Sequence, residues 1–361
     1  MAFSAVGACG APHSLPAVPA RVKSLPSRLP AHASLLSSSS LQSTRGAEVS
    51  PLRHFDKHLK SKPRVFFLDV NPLCYNGAQR SLRSFATWVE LFFSQVSLRD
   101  PVIAVLDGEE GNEYRRRLLP SYKAHRRRES GGRRSSSNGG LNSVEMKVMD
   151  VLRSCNVPVL KVNGYEADDV VATLTDQVLQ KGFRVVIGSP DKDFKQLISE
   201  DVQIVMPIPE FGRWSFYTLR HYFAQYKCDP TADLSLRCFL GDEVDGVPGI
   251  QHFAPGFGRK TAVKLLKKHG SLEKLLNAAA IRTVGKDYAQ DALTKYADYL
   301  RKNYEVLSLR RDADIQLEDE WLFERDTCND SVVLANFISK LGEYRKLDNR
   351  SRRRFVKTRI L

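Results

Sequence analysis

Arg64-Val65-Phe66-Phe67-Leu68-Asp69 is an unbroken apolar run that closes on an acid. An alternating pattern would leave one face of a strand to water, whereas a continuous run has both faces covered, as in the parallel sheets of α/β proteins. The arrangement recurs at Val102-Ile103-Ala104-Val105-Leu106, ending in Asp107, and at Val185-Val186-Ile187, which leads through Gly188-Ser189-Pro190 to Asp191. Helix-length segments separate the runs, so the chain reads as an α/β fold with a mostly parallel sheet flanked by helices. Such sheets bind ligands beyond the carboxyl ends of their strands. Three strands each deliver an aspartate to that edge.

A fourth contribution follows the strand-like Val157-Pro158-Val159-Leu160-Lys161-Val162, in the block Gly164-Tyr165-Glu166-Ala167-Asp168-Asp169. Apolar residues at 167, 170, 171, 174 and 178 trace one helix face, so these acids occupy a first helical turn. The helix dipole favours carboxylates there by about 0.3–1 kcal/mol each, and Asp193, ahead of Phe194-Lys195-Gln196-Leu197, can be an N-cap. Local structure alone does not explain why strand ends and helix starts all place acids on one edge. Two carboxylates 4 Å apart repel by about 1 kcal/mol in water and about 4 kcal/mol at an effective dielectric of 20. A converging set therefore calls for cations, and hard oxygen ligands suit Mg²⁺ or Mn²⁺.

The chain has 361 residues, 42% of them hydrophobic, enough to bury one large or two smaller cores. Lys and Arg outnumber Asp and Glu by 55 to 41, a formal charge of +14, which favours a nucleic acid or an anionic membrane as partner. No apolar run approaches the ~18 residues of a membrane span. The six cysteines lie far apart, with no Cys-x-x-Cys pair, and read as free thiols. Residues 1–55 differ in kind: they are rich in Ser, Ala, Pro and Leu, carry Arg21, Lys23, Arg28 and Arg45, and have no acid before Glu48. That is the composition of an organelle transit peptide, for plastid or mitochondrion.

Two further regions are basic. Tyr114-Arg115-Arg116-Arg117 and Ser121-Tyr122-Lys123-Ala124-His125-Arg126-Arg127-Arg128 follow shortly after Asp107, and lead into a Gly/Ser-rich stretch, 131–143, expected to be flexible. Aromatic residues among cations can stack bases while the cations hold phosphates. Downstream, Gly241-Asp242-Glu243-Val244-Asp245 adds two more acids, and Gly256-Phe257-Gly258-Arg259-Lys260-Thr261-Ala262 runs into a helix. Lys260, Lys264, Lys267 and Lys268 share one face of it while Ala262, Leu265 and Leu266 face a core. Glycines before a helix start let backbone N–H groups approach a phosphate, so the element reads as a sequence-blind grip on a nucleic-acid backbone. The last stretch, Arg345 to Arg359, is arginine-rich.

Taken in order, Asp69, Asp107, the block at 164–169, Asp191-Lys192-Asp193, the block at 241–245 and the Gly-x-Gly-x-Lys-Thr-Ala element at 256–262 resemble the 5′–3′ exonuclease domain of bacterial DNA polymerase I and the related flap endonucleases. The likeness runs from about Arg64 to about Leu317, and with the leader it implies a member of stand-alone, plant organellar type. The resemblance implies a PIN-like nuclease domain at 60–215 with a basic arch at about 112–143. A DNA-binding helix-three-turn-helix module would follow at 216–320, then a C-terminal helix and basic tail at 321–361. It implies Asp69, Asp107, Glu166 and Asp168 as ligands of one metal, and Asp168, Asp191, Asp193 and Asp245 around a second. Asp169 and Asp242 complete the cluster. Lys123 and Arg126 become the catalytic cations at the arch base, with Arg115 and Tyr122 beside them as DNA contacts. Gly256, Gly258, Lys260, Thr261 and Lys264 become the duplex grip. The implied cofactors are two Mg²⁺ ions, for which Mn²⁺ can substitute, and K⁺ at the hairpin.

The implied activity is metal-dependent cleavage of DNA flaps, nicks, 5′ ends or RNA-primer/DNA hybrids in organellar replication and repair, with an organellar DNA polymerase as a partner. A PIN-type ribonuclease and a non-catalytic nucleic-acid-binding protein are the alternatives. The chain departs from the family pattern at Gln251-His252-Phe253-Ala254-Pro255, which lengthens the turn before Gly256. It also departs at Gly246, where bacterial members carry Asn, and in its Gly/Ser-rich arch.

Overall fold

Strands β1 (Arg64–Asp69), β2 (Val102–Leu106), β3 (Val159–Lys161), β4 (Arg184–Gly188), β5 (Val202–Ile208) and β6 (Arg213–Tyr217) form one sheet in the order β3-β2-β1-β4-β5-β6. Neighbours are parallel except for β5 and β6, an antiparallel pair at one edge. This is a computed structural model, and it describes residues 62–77, 79–124 and 138–342. The leader at 1–55, Arg126 with most of the arch, and the tail at 345–359 lie outside the described residues.

The continuous apolar runs are explained by two separate cores. Phe66, Leu68, Val102, Ala104 and Val186 point to one side of the sheet, against α1 (Leu82–Phe92), α3 (Asn138–Ser154) and a helix at 330–342 that supplies Leu334 and Phe337. Val65, Phe67, Ile103, Val105, Val185 and Ile187 point to the other side, against α4 (Ala167–Gln180). Ala167, Val170, Val171, Leu174 and Val178 are all buried there, so the helical face read from the sequence is the one that packs. At about 25 cal/mol per Å² of apolar surface removed from water, two-sided burial makes these strands the main stabilising element.

A second, helical core is built from α6 (Asp233–Leu240), α7 (Arg259–His269), α8 (Leu272–Ile281), α9 (Asp287–Lys295) and α10 (Ala297–Leu307). Phe239 and Phe257 stack at its centre with ring centroids 5.1 Å apart, among Leu265, Leu266, Leu275 and Leu300. The short α5 (Leu219–Tyr226) connects the sheet to it.

The described segments differ from the sequence expectation in two places. Helix α3 begins at Asn138, inside the Gly/Ser-rich stretch expected to be flexible, because the residues after it put Val148, Val151 and Leu152 in register to bury against the sheet. The helical module closes at Leu307 rather than near 320, and the chain then returns to the first layer. Leu309 and Ala313 join the α4 core, and the Gln177 side chain both donates to the Ile315 carbonyl (3.0 Å) and accepts from the Leu317 N–H (2.8 Å). Buried Arg325 pairs with Asp330 and donates to the Cys155 carbonyl, pinning the start of the 330–342 helix. The outer surface of α4 and the α1/α3 face need cover, and the C-terminal 35 or so described residues supply it.

The cysteines Cys74, Cys155, Cys228, Cys238 and Cys328 are free. Among the described residues no helix is long and apolar enough to cross a membrane.

Candidate metal centre and nucleic-acid interface

From β1 the chain goes to β2 and β3 on one side, then crosses to β4 on the other, so the strand order reverses between β1 and β4. Crevices at such switch points are where α/β sheets bind ligands. Asp69, at the end of β1, accepts a hydrogen bond from the Ser189 hydroxyl just past β4 (2.7 Å), and that hydroxyl accepts from the Asp191 N–H (3.0 Å). Asp107, just after β2, accepts from the Ala167 N–H at the start of α4 (2.9 Å) and from the Asn71 amide. Gly108 makes this possible: a Cβ there would lie 1.8 Å from the Val162 carbonyl oxygen, so only glycine lets the loops after β2 and β3 lie together.

The second set joins Asp193, which follows β4, to two acids that follow α6 in the helical module. Asp193, Asp242 and Asp245 are buried, and one carboxylate oxygen from each lies within 4.8 Å of the others. Arg237 Nη2 donates to Asp193 (2.5 Å) and Asp242 (3.0 Å), and Lys192 donates to Asp242 (2.8 Å). Lys123 joins the two sets. Its backbone N–H donates to the Asp245 carbonyl (2.8 Å), its ammonium pairs with Glu166, and its charge acts on Asp69, Asp168, Asp191 and Asp245.

The electrostatics divide these carboxylates into two kinds. Burial raises Asp69 well above the ordinary range, and the charges of Asp107 and Asp191 push it further. Burial likewise raises Asp168, with Asp169 and Glu166 adding to it and Arg115 and Lys123 opposing. Asp191 is raised to about 7, by burial and then by Asp193. For Glu166 and Asp242 burial also acts upward, but it is outweighed: Lys123 and Arg115 hold Glu166 low, and Lys192 and Arg237 hold Asp242 low. Glu166 and Asp242 are thus neutralised by the protein itself. For Asp69, Asp168 and Asp191 the protein's own cations do not offset burial and the neighbouring acids, so without an added cation these carboxyls are held toward the neutral form, beside an all-oxygen triad. The donor set fits a hard divalent cation.

Three residues expected to meet DNA or complete the metal cluster are instead part of a buried scaffold. Arg115, on α2 (Glu113–Leu118), is 2% exposed and grips Asp169 with two nitrogens (2.7 and 2.9 Å), Glu166 with one (3.0 Å), and the carbonyls of Val306 and Ser308. It cannot be a surface DNA contact. Asp169 has its oxygens taken by Arg115 and the Arg310 N–H (2.8 Å), so it anchors α4 to the chain leaving α10. Tyr122 is 2% exposed within the helical core, with Lys123 over its ring at 4.9 Å, and offers no face for a base. Lys123 is itself buried, and the acids around it outweigh burial to keep it protonated.

The hairpin has the expected form. Gly256 has φ +90°, Gly258 caps α7 in an extended conformation, and Lys260, Lys264, Lys267 and Lys268 are exposed on one face. The Thr261 hydroxyl lies 3.4 Å from the Gly256 carbonyl and 3.0 Å from the Tyr288 hydroxyl. The extra residues at 251–255 fold into a short turn whose Phe253 ring packs 5.6 Å from Tyr296 and 5.1 Å from Tyr299. Gly246 has φ +73°, and a Cβ there would meet the Ser121 carbonyl oxygen at 2.3 Å, which explains the absence of a side chain.

Sequence reasoning missed Ser189, Asn71, Lys192 and Arg237 as members of this centre. Arg237 alone carried a usable signal, as a charge inside the apolar run Leu234-Ser235-Leu236-Arg237-Cys238-Phe239.

Two family models match adjacent parts of the chain. The 5′–3′ exonuclease N-terminal resolvase-like domain matches residues 64–227, and the 5′–3′ exonuclease C-terminal SAM fold matches residues 229–328. A 5′–3′ exonuclease of Aquifex aeolicus is 36% identical over 173 residues, 48% of this chain and 55% of that protein. DNA polymerase I of Mycobacterium bovis is 32% identical over 267 residues, 70% of this chain and 28% of that protein. The chain thus spans about half the length or less of these curated relatives. The fold is that of the T5 5′-exonuclease solved with divalent zinc bound, at a TM-score of 0.53 and 21% identity, covering 68% of this chain and 89% of that one.

Proposed function

Because this chain belongs to the 5′–3′ exonuclease family, we propose that it is a Mg²⁺-dependent, structure-specific 5′ nuclease that hydrolyses DNA phosphodiesters at flaps, nicks and 5′ ends. The observation that carries the reading is the buried triad Asp193, Asp242 and Asp245, with Asp191 joined to it through the Asp193 N–H, Asp69 and Asp107 acting on one another at the switch point, and Lys123 acting on Asp69, Asp168, Asp191 and Asp245 together. Asp69, Asp107, Asp168, Asp191, Asp193 and Asp245 would hold a pair of divalent cations. Bound cations supply Lewis-acid relief of charge on the phosphate and a more acidic attacking water.

The protein's own residues do the rest. Glu166, itself held by Arg115, fixes the ammonium of Lys123 among the carboxylates, where a protonated amine would stabilise the negative charge that develops on a phosphate. Arg126, which the family resemblance pairs with Lys123, is proposed as a second such cation. The lysine face of α7 holds duplex backbone, so that unpaired 5′ nucleotides reach the carboxylates. Each neutralised phosphate lowers log K by about 0.9 per tenfold rise in salt.

A labelled 5′-flap duplex and a matched single-stranded RNA, each incubated with Mg²⁺ and with EDTA, test the reading. Metal-dependent cutting confined to the flap duplex is expected. Cutting of the RNA alone would make the protein a ribonuclease, and cutting of neither would leave only binding.

The leader composition supports a role in organellar replication and repair, alongside a DNA polymerase and on RNA-primer/DNA hybrids as well. A reporter fused behind residues 1–60 should enter plastids or mitochondria, and a cytosolic reporter would exclude this role.

A further inference from the structure

A cavity of about 160 Å³ lies between the acidic triad and the hairpin, lined by Lys192, Lys195, Tyr226, Asp233, Arg237 and Arg259 among others. It is much larger than the ~10–15 Å³ that admits one water. Lys192 and Arg237 reach from it to the triad, and Arg259 is the first residue of α7, directly behind Gly258. The cavity therefore joins the two parts of the molecule that handle phosphates.

Its lining is cationic, and part of that charge is unspent. Lys195 and Arg259 form no ion pair with a carboxylate among the described residues, although the charge of Lys195 acts on Asp233. Lys195 donates to the Tyr226 hydroxyl (3.0 Å), and both cations lie over the Tyr226 ring, at 5.2 and 4.8 Å. Arg237 is 8% exposed; its Nη2 is used by Asp193 and Asp242, but its buried Nη1 meets no acceptor among the described residues. A buried guanidinium nitrogen without an acceptor is unfavourable, and native interiors rarely leave one without a ligand or an ordered water. The one acid confined to this lining, Asp233, has one oxygen on the Tyr222 hydroxyl (2.8 Å) and the other buried without a partner. Burial raises its pKa, so it opposes an anion less than a solvated aspartate does.

We infer that this cavity is a phosphate subsite in which Arg237 Nη1, Lys195 and Arg259 together receive one phosphate group. A tetrahedral oxyanion offers several acceptors at once, which suits a planar guanidinium in the wall and two further cations at the sides. The phosphate can come from a nucleic-acid strand held by the α7 face or from free phosphate, including a released 5′-mononucleotide. Only the first source rests on the proposed nuclease reading.

The test uses the full chain in EDTA and follows binding of a labelled 5′-flap duplex over a salt series. Lys195→Ala combined with Arg259→Ala should weaken binding severalfold and reduce the slope of log K against log salt by about 0.9, the loss of one phosphate contact. Arg259→Lys should recover part of the slope, which a merely structural loss would not allow. Single neutral methylphosphonates placed along the strand should identify one position at which the wild type loses affinity and the double variant loses no more. In a second arm, inorganic phosphate or a 5′-mononucleotide should raise the Tm of the wild type but not of the double variant. A slope change identifies the strand as the source, and a Tm shift identifies free phosphate. An unchanged slope together with equal phosphate shifts in both proteins overturns the subsite. A wild type that ignores the duplex refutes the nuclease reading instead, and the phosphate arm still decides the cavity.

Discussion

Replacing Arg115 with Met separates the buried-scaffold account of the first basic run from a DNA-contact account. Arg115 makes five hydrogen bonds of 2.7–3.0 Å, three of them to Glu166 and Asp169 and two to the carbonyls of Val306 and Ser308, with 2% of its surface exposed. Met fills a similar volume but leaves Asp169 buried, with only the Arg310 N–H to satisfy it. Removing one partner of a buried ion pair destabilises by about 3–5 kcal/mol, because the remaining charge is uncompensated. At ~2–4 °C per kcal/mol for a domain of this size, the Tm should fall on the order of 10 °C. Adding Asp169→Asn removes the stranded charge and should restore part of that loss, with a coupling of about 0.5–3 kcal/mol. Thermal unfolding by circular dichroism measures both changes. Duplex binding by the folded Arg115→Met protein should keep the salt slope of the wild type. A stability within about 0.5 kcal/mol of the wild type, as for an ordinary surface change, together with a shallower salt slope, would refute the reasoning and return Arg115 to the DNA surface.

Three further outcomes follow from the same geometry. Asp69, Asp168 and Asp191 have folded pKa values above their unfolded ones, so the folded state binds more protons, and the metal-free protein should lose stability as pH rises from about 4 through about 7. Mg²⁺ should therefore raise the Tm more at pH 7.5 than at pH 5, and equal shifts at both would contradict the titration. Gly246→Ala forces a Cβ against the Ser121 carbonyl at φ +73°, so stability should drop by more than about 1 kcal/mol and flap cleavage should fall as Lys123 is displaced from Asp245. Wild-type unfolding and cleavage would show that the arch base is not seated there. Lys260→Glu should weaken duplex binding, most at low salt where phosphate contacts count fully. Unchanged low-salt affinity argues against the hairpin grip.

The sheet and its acidic edge were legible because burial on both faces leaves an unmistakable run, as at 65–68, 102–106 and 185–187, and because each run stops at a polar turn. Helix α4 was legible for the matching reason: its buried positions 167, 170, 171, 174 and 178 repeat with the helical period. Arg115 was not. Within Tyr114-Arg115-Arg116-Arg117 nothing local distinguishes the one arginine that turns inward, since its partners lie 51 to 193 residues away. Tyr122 and Asp169 were misplaced for the same cause, a tertiary partner invisible to local pattern. The return of residues 308–342 to the first layer was equally hidden, because an amphipathic segment shows that it needs a partner without showing which one.

The central claim, that the carboxylates of the switch point and the triad are cation ligands, is tested most directly by titrating Mn²⁺ into the protein at pH 7.5 and following free ion by electron paramagnetic resonance. The wild type should take up about two ions, and Asp193→Asn with Asp245→Asn should lose at least one of them while remaining folded. Uptake undiminished in that variant, or none in the wild type at millimolar Mn²⁺, would contradict the account.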